Sequence, residues 1–151
     1  MRRFNIERSF ISENARELER LRTLVDNITE KELNLVIYNE GWTIAVALAH
    51  LAFWDHWPLV LVRKWKHNGV TTSLADANTI NDVLLPFLLA ISPRAAANMA
   101  VSIAEAFDQE LAELSPDLIL AIEAVDTKAL NRAIHRKKHL DDIESFLKKQ
   151  S

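Results

Sequence analysis

The chain has 151 residues, of which 49% are apolar and 26% charged, with a net charge of −3. This is the composition of one globular domain with a real core, not of a disordered chain, and the weak basic content argues against a nucleic-acid binder. With no cysteine, disulfides, thiolate metal sites and a cysteine nucleophile are excluded, while 2 glycines and 4 prolines disfavour a fold of many short strands.

The first predicted helix runs from about Asn5 to Asn27. Ile11, Ala15, Leu18, Leu21, Val25 and Ile28 recur at helical spacing and form its apolar face. Charged residues from Glu13 to Arg22 fill the other side, and the helix carries no evident chemistry. Residues Thr29 to Glu32 read as a capping box that opens one short turn. Tyr38, Asn39, Glu40 and Gly41 form a natural turn ahead of Trp42.

The second helix spans about Thr43 to Lys66, with Thr43 as N-cap and Gly69 just past its end. Its first half is apolar on nearly every side, the mark of the buried helix of a fold. His50 stands in the middle of it. A buried imidazole must be satisfied by a partner, since burying an unpaired polar group costs a few kcal/mol. At about 100° per residue, Thr43, Val46, Trp54, Trp57 and Leu61 fall within about 40° of His50. Trp54 and Trp57 could thus wall a pocket or simply fill core, and Trp42 reads as packing at the helix start. Pro58 should kink the helix or mark a local irregularity.

Val70 to Ile91 is the least regular stretch. Its apolar run, Val83 to Ile91, contains Pro86 and is too short to span a bilayer. A short helix packed over the bundle and half of a dimer contact are both compatible with it. The third helix opens with Ser92 as N-cap and Pro93 at its first position. Ala96, Met99, Ala100, Ile103, Phe107, Leu111 and Leu114 give its apolar face. Ser115-Pro116-Asp117 stops it and starts a short apolar segment to Val125. The fourth helix runs from about Thr127 to Lys149 and packs through Leu130, Ala133, Leu140, Ile143, Phe146 and Leu147. Arg136, Lys137 and Lys138 read as a short basic cluster on its surface.

Four long helices with no credible strand give an all-α, four-helix bundle in a single domain over 1–151, with a short extra helical segment between helices 2 and 3. The start of the chain lacks an apolar signal region, so a cytoplasmic location is expected. The apolar stretch Ile44–Phe53 is too short for a membrane span and is ended by Asp55 and His56.

His135 and His139 stand four apart on the fourth helix and point to one side. Such a pair can hold a metal ion, but it also arises by coincidence. His50, midway along a buried helix, is the third member of the set, because facing helices of a bundle assemble metal sites in the core. Three neutral imidazoles around a divalent ion leave a position open, which is the pattern of a catalytic site. His56 and His67 read as exposed or rim residues.

These residues also carry a resemblance. Gly-Trp-Thr-Ile-x-x-x-Leu-Ala-His-Leu (41–51), followed by His-x-x-x-His-Leu-x-x-Ile (135–143), resembles the DinB-like superfamily. The chain is most similar there to the metal-binding domain of mycothiol-dependent maleylpyruvate isomerases and to bacillithiol or mycothiol S-transferases. Phe53-Trp54-Asp55, the segment Ala77 to Asn81 and Ser92-Pro93-Arg94-Ala95-Ala96 also match, over most of the chain. The resemblance implies a four-helix bundle, often a homodimer, with His50, His135 and His139 binding a divalent metal such as zinc or nickel. It further implies a low-molecular-weight thiol cosubstrate, activated by the metal and passed to a small electrophile or used to isomerise one. No nucleic-acid or membrane partner is expected. Asp142, Glu105 and Asp108 are the candidates by type for carboxylates behind the ligands, and Asn81 and Arg136 for contact with a substrate. The competing reading is a non-catalytic dimeric stress-response or ligand-binding bundle.

Overall fold

The computed structural model describes residues 9–73 and 75–150. The expected helix start at Asn5 lies outside them. The first element, α1 (Ser9–Asn27), is followed by a single turn, α2 (Glu30–Leu33). The capping box that opens α2 is formed as its spacing predicts. The Glu32 amide donates to Thr29 Oγ1 at 3.1 Å, and the Thr29 amide to Glu32 Oε1 at 2.9 Å.

A small antiparallel hairpin comes next, which the helical reading did not foresee: β1 (Val36–Tyr38) pairs with β2 (Trp42–Thr43). Five residues of strand are too few to show an alternating pattern. What closes the hairpin is the expected turn, with Glu40 at φ 65° and Gly41 at φ 78°. Its lower end is fastened by the Ile44 amide, which donates to the Leu35 carbonyl at 2.9 Å.

The central helix, α3 (Ile44–Asn68), starts at Thr43, whose hydroxyl accepts from the Val46 amide at 3.1 Å. It runs through Pro58 as one helix and ends at Gly69, where φ is 82°. It is the one described helix long and apolar enough to cross a membrane, but 67% of that window is buried inside the protein. Every residue from Ile44 to Ala52 is buried, as expected of a core helix. Then come α4 (Ala77–Ala90), α5 (Pro93–Ala112), α6 (Pro116–Val125) and α7 (Ala133–Gln150). α1, α3, α5 and α7 are the four long helices of the bundle. α4 is the extra segment between the second and third of them.

The closest helix pair, α3 and α5, meets through short side chains. Ala45, Ala47, Ala49 and Ala52 on α3 share one cluster with Ala96, Ala97, Ala100 and Ala104 on α5, together with Leu18, Leu21, Leu140 and Ile143. A second cluster gathers Phe10, Leu59, Trp65, Phe107, Leu111, Ile122 and Leu130. Met99 is 39% exposed and Ala15 is exposed, so both leave the apolar faces assigned to them.

Between the two clusters each long helix contributes a polar side chain: Asn14, Asp55, Asp108 and Arg136. Arg136 is fully buried, contrary to its reading as a surface or substrate residue. Its guanidinium donates to Asp55 Oδ2 at 2.9 Å, to Asp108 Oδ1 at 2.9 Å and to the Asn14 carbonyl at 2.9 Å. Arg132 reaches the other oxygen of Asp55 at 2.9 Å. Burial raises the Asp108 carboxyl above its ordinary range, opposed by its bond to Arg136.

The same layer corrects the start of the fourth helix. Asn14 donates to the Leu130 carbonyl at 2.8 Å and accepts from the amides of Arg132 and Ala133 at 2.9 and 2.8 Å. A side chain more than a hundred residues away thus shares the cap with Asn131, whose Oδ1 also accepts from the Ala133 amide at 3.1 Å, and residues 127–132 form a tethered turn. The helix begins at Ala133, not Thr127. Leu130 is still buried, but from that turn.

Candidate metal centre

α3 presents His50 two turns below its N-cap, and α7 presents His135 and His139 one turn apart. The bundle brings the three rings together. His50 Nε2 and His135 Nε2 are 3.0 Å apart, and His135 Nε2 and His139 Nε2 are 3.1 Å apart. One nitrogen from each ring lies within 4.8 Å of the others. A tetrahedral ion with bonds of about 2.0–2.1 Å holds its ligands roughly 3.3 Å apart, so an outward shift of a few tenths of an ångström would admit it.

His50 and His139 are each 6% exposed, and His135 is partly buried. Burial penalises the charged imidazolium and is the chief cause of a lowered pKa in all three. His50 falls to about 4, although the nearby Asn81 side chain works against this. His139 falls to about 3, pushed down further by His50 and Lys138. His135, facing both other imidazoles, falls lowest. The cluster is therefore neutral at pH 7, the protonation state a metal ligand needs.

The outer nitrogens differ. His139 Nδ1 lies 2.9 Å from the Tyr38 hydroxyl, which is in turn 2.6 Å from Asp142 Oδ2. Nδ1 of His50 and of His135 is buried without a hydrogen-bond partner among the described residues. Trp42 meets the His50 ring edge-on at 5.1 Å. Burial and the bond to Asp142 both raise the Tyr38 phenol pKa far above its ordinary value.

The cluster opens into a pocket of about 970 Å³. Ile37, Tyr38 and Trp42 from the hairpin form one wall. Trp54 from α3 and Ala77, Asn78, Asn81 and Asp82 from α4 form another. Arg132, Lys138 and the histidines complete it, with Asn39 and Glu40 at the turn. The Trp54 indole donates to Asn81 Oδ1 at 2.8 Å, joining α3 to α4 across the pocket.

Of the residues singled out in the sequence, His50, His135 and His139 come together, and Trp54 and Asn81 line the pocket beside them. Trp57 packs against Trp54, ring centres 5.9 Å apart, and is not among the lining residues. Asp142 reaches the histidines through Tyr38. Glu105 instead pairs with Arg22 at 3.0 Å, and Asp108 belongs to the Arg136 layer. His56 and His67 are exposed, as expected.

Tyr38, Trp42, Arg132 and Lys138 were not anticipated as pocket residues. For Lys138 a signal existed, since 135, 138, 139 and 142 form one i, i+3, i+4, i+7 stripe. Tyr38 had none, because only the folded hairpin carries it to α7.

Three nitrogen donors in a neutral, water-poor corner, next to a pocket of ligand size, suit a divalent cation that keeps coordination positions open. Compared with known families, residues 13–147 match the model of the DinB superfamily. No curated protein and no solved structure matches the chain.

Proposed function

The chain belongs to the DinB superfamily, and on that premise we propose that it is a metal-dependent protein that activates a low-molecular-weight thiol or water against a small electrophile, in S-transfer or isomerisation. The observation that supports this most is the convergence of three imidazole nitrogens within 4.8 Å, from two helices, at the inner end of a pocket. His50, His135 and His139 are the ligands in this reading, and zinc or nickel the metal. Bound there, a divalent ion supplies Lewis acidity that lowers the pKa of a thiol or water in its open position.

The remaining groups act on the substrate. Trp42 and Trp54 offer apolar walls to the body of the electrophile. Asn81, held by the Trp54 indole, orients it through its amide group. Lys138 and Arg132 offer cations to charge that develops during the reaction. Because the chain has no cysteine, the thiol arrives from solution.

Elemental analysis of the purified protein beside the His50→Ala, His135→Ala, His139→Ala triple variant tests the metal. About one equivalent of zinc or nickel in the wild type and none in the variant is expected. Turnover of a panel of electrophiles with bacillithiol, mycothiol or glutathione tests the reaction, and His50→Ala should abolish it. Bound metal with no thiol- or water-dependent turnover would favour the second reading, a non-catalytic ligand-binding bundle.

One observation favours a dimer in either case. α4 leaves Val83 62%, Phe87 67% and Leu89 50% exposed, a patch that a second copy of the chain would cover. Light scattering should report a dimer that Phe87→Glu dissociates; a monomeric wild type removes this part of the proposal.

A further inference from the structure

The hairpin brings to the histidine cluster a group that the metal-binding reading does not use. Tyr38 stands between His139 Nδ1 and Asp142 Oδ2, at 2.9 and 2.6 Å. A phenol has one proton to donate, while its oxygen can also accept. Asp142, whose side chain is 40% exposed and lies 3.4 Å from the Lys138 ammonium, is a carboxylate and can only accept. The phenol proton therefore goes to Asp142, in the short contact typical of a charged acceptor. The Tyr38 oxygen is left as an acceptor toward His139, so His139 Nδ1 must carry the hydrogen. A neutral imidazole with hydrogen on Nδ1 has its lone pair on Nε2, the nitrogen that faces His135 at 3.1 Å.

We propose that Tyr38, its proton held by Asp142, is a positioning residue that fixes His139 in the Nδ1–H tautomer and keeps the Nε2 lone pair aimed at the centre shared with His50 and His135. His139 is the one ligand whose outer nitrogen the chain holds, since Nδ1 of the other two has no partner among the described residues. The purpose of this device rests on the metal-binding reading; its measurement does not. It also gives the hairpin a role, because β1 carries Tyr38, the single tyrosine of the chain, to α7, 101 residues further on.

The test uses metal-free protein labelled with nitrogen-15 in histidine, in which long-range proton–nitrogen correlations report each tautomer. Zinc affinity is measured separately by competition with a chromophoric chelator. Wild type should show His139 as Nδ1–H. Tyr38→Phe keeps the ring against His139 and Trp42 (centres 5.7 and 6.2 Å) but removes the acceptor. It should give a mixture of tautomers and weaken zinc binding by about 10–100-fold, the usual effect of losing a group behind a ligand.

Asp142→Ala frees the phenol proton to turn toward Nδ1. It should move His139 to the Nε2–H form and weaken zinc at least as much. Adding Tyr38→Phe to Asp142→Ala should then restore affinity to that of Tyr38→Phe alone, a recovery that loss of packing would not produce. Thermal melting of each variant shows that it is folded. Nε2–H in the wild type, an unchanged tautomer and affinity in Tyr38→Phe, or a double variant weaker than both singles would overturn the proposal. A wild type that is Nδ1–H but takes up no zinc would uphold the role of Tyr38 in fixing the tautomer and sink the metal reading alone.

Discussion

Two polar regions lie side by side in the same core, and α3 and α7 contribute to both. Asp55 follows His50 by five residues on α3, and Arg136 follows His135 directly on α7. In the first region Arg136, Asp55, Asp108, Arg132 and Asn14 satisfy one another, and the Arg136 guanidinium has a partner on each of its three nitrogens. In the second, three imidazoles turn their Nε2 atoms toward a common point and two leave Nδ1 unsatisfied. A buried polar group without a partner costs about 1–3 kcal/mol. A closed network of this kind joins the helices. An open one, kept at a cost beside a pocket, is the form expected of a group that waits for something from outside the chain.

The largest effect that could break this contrast belongs to the closed layer. Arg136→Leu leaves Asp55 and Asp108 as buried carboxylates short of a partner and should cost about 3–5 kcal/mol in urea unfolding. A loss below about 1 kcal/mol would mean that the layer is not what joins the helices.

Acid should attack the open region first. The histidine pKa values are lowered on folding, so the unfolded chain binds more protons between their folded values and about 6.5. Their stabilising contribution is complete above pH 6.5 and is lost as pH falls toward the folded values. For His50 alone, lowered to about 4, the full loss is roughly 3 kcal/mol. Unfolding free energies of the metal-free protein between pH 7 and 4 measure it. The triple alanine variant should give a flatter profile, and identical slopes would show that the cluster does not titrate as a buried unit.

Zinc should stabilise only the open region. Free zinc at about a hundred times its dissociation constant adds about 2.7 kcal/mol, seen as a rise in melting temperature that a chelator reverses. The triple alanine variant should show no rise. An equal rise there would place the ion elsewhere.

The smallest effect sharpens the border. Arg132 belongs to both regions, donating to Asp55 while lining the pocket. Arg132→Gln should cost about 1–2 kcal/mol of stability, because Arg136 still holds Asp55. Zinc affinity should change by less than about threefold, since Arg132 is no ligand. A collapse of zinc binding would show that the two regions are one.

Much of the fold was legible along the chain. Thr29, Thr43, Ser115-Pro116 and Gly69 announced helix ends because a cap acts within three or four residues of itself. The nearly unbroken apolar stretch around His50 announced the core helix, and the four-residue spacing of His135 and His139 announced a shared direction. Pairing these with His50 needed only the observation that a buried imidazole seeks a partner. Other features had no local sign. Arg136 sits in a basic run and reads as surface, yet it is the most enclosed charge among the described residues. Residues 127–132 satisfy helical periodicity, yet bonds to the distant Asn14, which Asn131 only supplements, hold them as a turn. Glu105 and Asp142 are equal by type, and only the hairpin distinguishes them.

From the residues alone came the all-helical class, the helix boundaries set by caps, and three histidines as a candidate site, because periodicity and capping act over one or two turns. Tertiary structure alone decided that their nitrogens meet within hydrogen-bonding distance, that Tyr38 backs one of them and that an ion layer lies beneath. Those contacts join residues mostly 80 to 120 positions apart, and their existence depends on how four helices pack, which no short stretch of sequence encodes.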